Sequence, residues 1–307
     1  MRRRWRALAC LCLCGVLAWF LADAGPIRQS AAEALSLCVR SVVPSLFPFL
    51  VISGLLVSMG IGELAAPYLA GFMGPLYRLP GCASSALLLG LVGGYPIGAK
   101  TAADLYREGL LSRDEAERLL AFCNNSNPVF LISVLGAGVF GTLRAGIWLW
   151  IIHTASALLT GFLFRGGRET GRQAAGAGAS CRSVSLSSAF VDAVRGSASG
   201  MLSVCAFVVF FYVLADPLAS LGPRLGPALV GVTELFSLTP LLTADRFGFV
   251  LAAGCAGWGG LSVLCQTAAV LEGSGLGVRN CFLGKVAQGV LSALLAFALG
   301  SWALGLA

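Results

Sequence analysis

Charge is scarce in this chain: 11% of its 307 residues are Asp, Glu, Lys or Arg, against about 25% in an ordinary soluble domain. That shortage excludes a water-facing surface over most of the chain. With 57% hydrophobic residues and a mean hydropathy of +0.86, the solvent for most of it is lipid. Histidine is scarcer still, with His153 alone in an apolar stretch. One histidine, no paired carboxylates and no Ser-His-Asp order leave neither a metal cluster nor a hydrolytic triad to build. The expectation is a protein without metal or cofactor, and not an enzyme. Cysteine is not scarce, but its eleven copies are odd in number, and Cys10, Cys12, Cys14, Cys123, Cys205, Cys255 and Cys265 lie in or beside apolar runs. They are read as small buried hydrophobes rather than a disulfide framework.

The net charge of +7 does not point to nucleic acid, because the basic residues flank apolar segments, as the positive-inside bias requires. Four arginines precede the apolar run Ala7–Ala22, either a retained first transmembrane helix or a secretory signal ending near Ala22-Asp23-Ala24. The retained helix is the expectation, since more membrane segments come after it. The organisation expected is a first helix at residues 1–22, a membrane unit at 23–164, a basic Gly/Ala/Arg linker at 165–183, and a second membrane unit at 184–307. Ala34–Gly60 and Ala189–Leu221 both begin amphipathic and turn apolar, and each half then holds a glycine-broken apolar segment, Gly90–Ala99 and Gly254–Val263. The fold class expected is therefore an all-α integral membrane protein of two inverted-topology repeats with discontinuous transmembrane helices. With the N-terminus, the Lys100–Arg118 loop and the linker all cytoplasmic, the span count puts the loop around Arg279 outside.

The chemistry collects at the interruptions. Gly93, Gly94 and Pro96 free backbone groups within an apolar span, which is tolerated at membrane depth only beside protein or a water-filled cavity. Tyr95 and Lys100 share that stretch. Lys100 either snorkels to the cytoplasmic face or sits beside an anionic substrate. Asn124, Asn125, Ser126 and Asn127 precede Pro128; they make a helix start whose positive end suits an anion. Gly259 and Gly260 break the second half, with Ser262 and Gln266 one turn apart. Glu234 is the lone carboxylate of its span, either coupling transport to an ion or serving as a structural partner for Gln266 or Lys100. His153 is expected to be a hydrogen-bonded structural group.

Val43-Pro44-Ser45-Leu46-Phe47-Pro48-Phe49-Leu50, Gly94-Tyr95-Pro96-Ile97-Gly98-Ala99-Lys100, Cys123-Asn124-Asn125-Ser126-Asn127-Pro128 and Gly259-Gly260-Leu261-Ser262-Val263 with Gln266 resemble the YlbJ-type sporulation integral membrane proteins. Asn127 stands where that family usually has glycine. The resemblance implies a nucleoside-recognition or "Gate" domain like that of concentrative nucleoside transporters. It also implies a place in the outer forespore membrane of a spore-forming bacterium and a link to moving dipicolinate, a planar aromatic dianion. The function expected is transport of a small organic anion, dipicolinate, with Tyr95, Lys100, Asn124, Asn125, Ser126, Asn127, Ser262 and Gln266 as its binding residues. The partners expected are that anion and the bilayer, with a homo-oligomer left open. The alternatives are nucleoside transport and a non-transporting scaffold for the spore envelope.

Overall fold

The computed structural model describes residues 2–166 and 185–305. Among them there are helices and no strands: the protein is an all-α integral membrane protein. Five helical stretches are long and apolar enough to cross a membrane: Ala24–Leu56, Leu143–Leu163, Leu186–Ala219, Arg246–Leu271 and Arg279–Leu304. The linker expected at residues 165–183 lies outside the described residues apart from Arg165 and Gly166.

Helix α1 (Arg2–Ala22) leads into α2 (Ala24–Leu37), which continues through a π-helical turn at Cys38–Val42 into α3 (Val43–Ser58). Next come α4 (Ile61–Phe72) and a π turn, Met73–Tyr77, that stops at Arg78 in a left-handed conformation. Then α5 (Ala83–Gly93) and α6 (Ile97–Arg107) fold back on each other. A methyl group added at Gly98 would sit 3.0 Å from the Gly90 Cα, so the two arms run antiparallel around a tip at Gly94-Tyr95-Pro96. Helix α7 (Arg113–Leu119) carries a capping box, Ser112 with Glu115. A non-helical stretch through Asn124–Asn127 comes next, then the π-helical segment Phe130–Val139 and α8 (Leu143–Leu163).

The second half opens with the 34-residue α9 (Leu186–Ala219). Helices α10 (Leu225–Thr233) and α11 (Leu235–Leu238) make a shorter hairpin, in which Gly231 lies against the Leu238 side chain. Helices α12 (Arg246–Trp258) and α13 (Gly260–Leu271) form one stretch interrupted at Gly259, and α14 (Arg279–Leu304) ends the described chain.

Long-range hydrogen bonds sort the connections onto two faces. The Arg118 guanidinium donates to the carbonyls of Tyr77 and Arg78, at 3.3 and 3.4 Å, and the Cys82 thiol lies 3.8 Å from the Leu110 carbonyl. The Gly277 N–H donates to Glu117 Oε1 at 2.9 Å. These segments share one face. On the other, Ser30 Oγ donates to Asp216 Oδ2 at 2.6 Å, Arg144 reaches the Trp302 carbonyl at 2.6 Å, and Arg246 reaches the Phe297 carbonyl at 2.8 Å.

This corrects the sequence-based topology. The Lys100–Arg118 loop and the loop before Arg279 are on the same face, not opposite ones. The reason is the length of the hairpin arms. At 11 residues each, α5 and α6 span about 16 Å apiece, half of a hydrocarbon core of about 30 Å. The arms of α10 and α11, at 9 and 4 residues, are shorter still, so each hairpin returns to the face it left; no crossing occurs at 227–242, and the loop before Arg279 therefore falls on the face of Glu117.

Candidate functional site

Four interruptions meet inside the protein: the tips of the two hairpins and the breaks at Asn124–Asn127 and Gly259. Each is held by contacts from another. The Cys123 carbonyl sits between the arms of the first hairpin, so close that a methyl group at Gly90 or Gly98 would overlap it. Gly94, at φ +80°, presses on Asn127, and Gly260 lies against the Thr233 carbonyl and Glu234 at the second tip. Glycine is required at these positions because backbone approaches backbone.

All four residues Asn124–Asn127 are buried. Asn124 Nδ2 donates to Thr267 Oγ1 at 2.8 Å, and Asn125 Nδ2 to the Phe122 carbonyl at 2.8 Å. The Ser126 N–H donates to His153 Nε2 at 3.1 Å, and Ser126 Oγ lies 3.4 Å from the Ala256 carbonyl. Asn127 Oδ1 accepts from the Val129 N–H at 2.7 Å, while its amide points at the Val92 and Gly93 carbonyls. Asn127 thus caps the π-helical segment after it. His153 holds the loop as an acceptor at Nε2, which places its proton on Nδ1.

From the far side of the molecule, α14 contributes Lys285 and Gln288. Lys285 is 1% exposed. Its Nζ donates to Gln288 Oε1 at 2.6 Å, to Tyr95 Oη at 3.3 Å and to the Gly257 carbonyl at 3.4 Å. It also stands 5.1 Å from the centre of the Tyr95 ring. Gln288 Nε2 donates onward to Asn125 Oδ1 at 2.9 Å. The Tyr95 hydroxyl in turn donates to the Ala256 carbonyl at 3.2 Å. Among the described residues no carboxylate pairs with Lys285; the ion pairs are Arg107–Asp104, Arg113–Glu117 and Arg118–Asp114, all on the face that carries α7.

A cavity of about 40 Å³ lies beside this network, enough for a few waters. Tyr95, Gly93, Ser126, Asn127 and Gln266 line it together with Val263, Leu235, Phe236, Phe130 and residues of α3 and α9. Gln266 donates to Ser262 Oγ at 3.2 Å. Asn124, Asn125 and Ser262 are buried behind that lining. Glu234, 1% exposed, accepts at Oε2 from the Ser237 N–H at 2.6 Å and from Ser237 Oγ at 2.8 Å, so it caps α11 at the second hairpin tip.

Lys100 does not join them. It is exposed on α6, away from the buried network. The lysine inside is Lys285, and the sequence did carry a signal for it. Lys285, Gln288 and Ser292 fall at i, i+3 and i+7, one stripe on an otherwise apolar helix. Ser292 continues the stripe by meeting Ser156 at 2.7 Å.

The family described as Gate, nucleoside recognition, matches residues 39–146. This stretch holds α3, the first hairpin and the Asn124–Asn127 loop. No solved structure matches the chain. The YlbJ-type resemblance read from the motifs is borne out: over 87% of its length, and 76% of the relative's, the chain is 29% identical to the sporulation integral membrane protein YlbJ of Bacillus subtilis (strain 168).

Proposed function

We propose that this protein transports a small organic anion across the membrane of a developing spore, with dipicolinate as the substrate and the outer forespore membrane as the location. The observation that carries this reading is a buried polar network of helix interruptions around one cavity, with a lysine that no carboxylate pairs among the described residues. Polar groups in hydrocarbon cost several kcal/mol each when unsatisfied, and a scaffold has no need of them at that depth. The sporulation setting rests on the YlbJ similarity.

The two halves are proposed to be inverted repeats of one unit. Each has a hairpin that enters from one face and stops midway, a helix broken beside the hairpin's tip, and a final crossing. The first hairpin enters from the face of Glu117 and Gly277, the second from the face of Arg246. The broken segments are then Asn124–Asn127 and Gly259, and the first hairpin has α10–α11 as its counterpart. Such a pair of half-spans around a midplane site supports alternating access. Ion coupling at Glu234 remains part of the proposal.

A nucleoside is the second reading, favoured by the family match over residues 39–146. Uptake into vesicles reconstituted with the purified protein decides between them: labelled dipicolinate should accumulate and labelled uridine should not. Uptake of uridine alone turns the assignment to nucleosides. Uptake of neither, by protein that is folded and correctly inserted, removes the transport reading. Asn125→Ala should abolish uptake at wild-type abundance, because Asn125 joins the loop to Gln288.

A further inference from the structure

We infer that Tyr95 is a stand-in ligand for Lys285, which a carboxylate of the transported anion displaces. The inference rests on the transport reading above and assigns its charge recognition to Lys285, which the sequence motifs do not single out.

Lys285 is enclosed, and its three contacts are neutral: an amide oxygen, a backbone carbonyl and a phenol. Neutral acceptors only partly offset the loss of hydration of a buried ammonium, and a carboxylate oxygen offsets it better. Two of the three contacts are fixed by helices, Gln288 one turn along α14 and Gly257 in α12. The third, Tyr95, sits at a hairpin tip next to Gly93 and Gly94. It is also the member that lines the cavity, so its ring stands between the open space and the cation.

Tyr95 occupies that place because Gly259 opposite has no side chain. A methyl group there would lie 3.0 Å from Tyr95 Oη. Room for the phenol is therefore built by a residue of the other half. The cavity of about 40 Å³ is too small for an aromatic dicarboxylate, so the ring must leave for a ligand to reach Lys285. When it leaves, the ammonium exchanges a phenol oxygen for a carboxylate oxygen, and Tyr95 releases the Ala256 carbonyl.

Uptake of dipicolinate by vesicles of wild type, Lys285→Met, Lys285→Arg and Tyr95→Phe tests this. Removing one partner of a buried charged pair costs enough to raise the apparent KM of Lys285→Met by about 30-fold or more. Lys285→Arg should keep part of the affinity. Tyr95→Phe should lower the apparent KM several-fold, since the phenol oxygen that competes with the anion for the ammonium is gone. An unchanged KM in Lys285→Met with active wild type overturns the inference and leaves the transport reading standing. A Tyr95→Phe protein weakened like Lys285→Met also overturns it, for the phenol would then be a ligand of the anion. If Lys285→Met does not accumulate in the membrane, Tyr95→Phe decides alone, tighter supporting and weaker overturning. No uptake by wild type removes the transport reading and this inference with it.

Discussion

The two hairpins reach the same centre but are held differently. The first has arms of 11 residues each and is clamped by backbone: Gly90 and Gly98 close around the Cys123 carbonyl. The second has arms of 9 and 4 residues; Gly260 touches the backbone of its tip less tightly, and its other close contacts are side chains, with Glu234 bonded to Ser237 and Gly231 against Cys255 Sγ and the Leu238 side chain. Backbone contacts cannot yield without moving a whole segment, whereas side chains change rotamer. The first hairpin is thus the rigid wall of the cavity, and the second the part that can be altered without loss of the fold.

The sharpest way to break this contrast is alanine at the two glycine contacts. Gly98→Ala puts a methyl group onto the Cys123 carbonyl; overpacking against backbone should cost about 3 kcal/mol or more, seen as loss of membrane-inserted protein. Gly231→Ala meets a thiol and a leucine methyl, which can shift, and should cost about 1 kcal/mol. Equal abundance and equal melting in detergent for the two variants would contradict the difference in rigidity.

A smaller effect is expected at the second tip. Glu234→Ala removes the cap of α11 and leaves Ser237 without its acceptor, a loss of about 1–2 kcal/mol. Glu234→Gln keeps one acceptor oxygen and should melt close to wild type. If it also transports at the wild-type rate, Glu234 is a cap and nothing more; a folded Glu234→Gln protein with no uptake makes it the coupling group.

The smallest effect lies outside the membrane. Asp245 accepts from the Gly248 N–H at 2.7 Å at the start of α12. That bond, followed by the Thr243 hydroxyl, holds its carboxyl below the usual carboxylate range. A carboxylate depressed in the folded state adds stability above its ordinary pKa of about 4, and this is lost as pH falls through the lower folded value. Because Asp245 is exposed, the effect should be a slight fall in melting temperature below that pH, absent in Asp245→Asn.

The membrane character, the two glycine breaks and the polar run at Asn124–Asn127 were all legible in the sequence, because each is a local departure from an apolar background. The direction the chain takes after a break was not legible. Gly93-Gly94 reverses the chain and Gly259 does not, yet both look like glycines within an apolar run. The difference is set by what packs against the arms: the Cys123 carbonyl in one case, and α14 along α12 in the other. Lys100 drew attention because it adjoins a motif. Lys285 was hidden by its nearness to the loop around Arg279, although α14 begins at Arg279 and its polar stripe starts two turns in.

Helix α9 is longer than a bilayer needs. Its 34 residues extend about 51 Å, against a hydrocarbon thickness of about 30 Å. The stretch from Gly196 to Ala215 carries no charged residue and fits that thickness by itself. The preceding part, Leu186–Arg195, with Asp192 and Arg195 both exposed, carries charge ahead of that stretch and adds about 15 Å to its length. Ala189 and Ala193 are buried on this part, and Ala193 packs against Gly54 of α3, so the excess length of α9 is braced by a neighbouring helix rather than standing free.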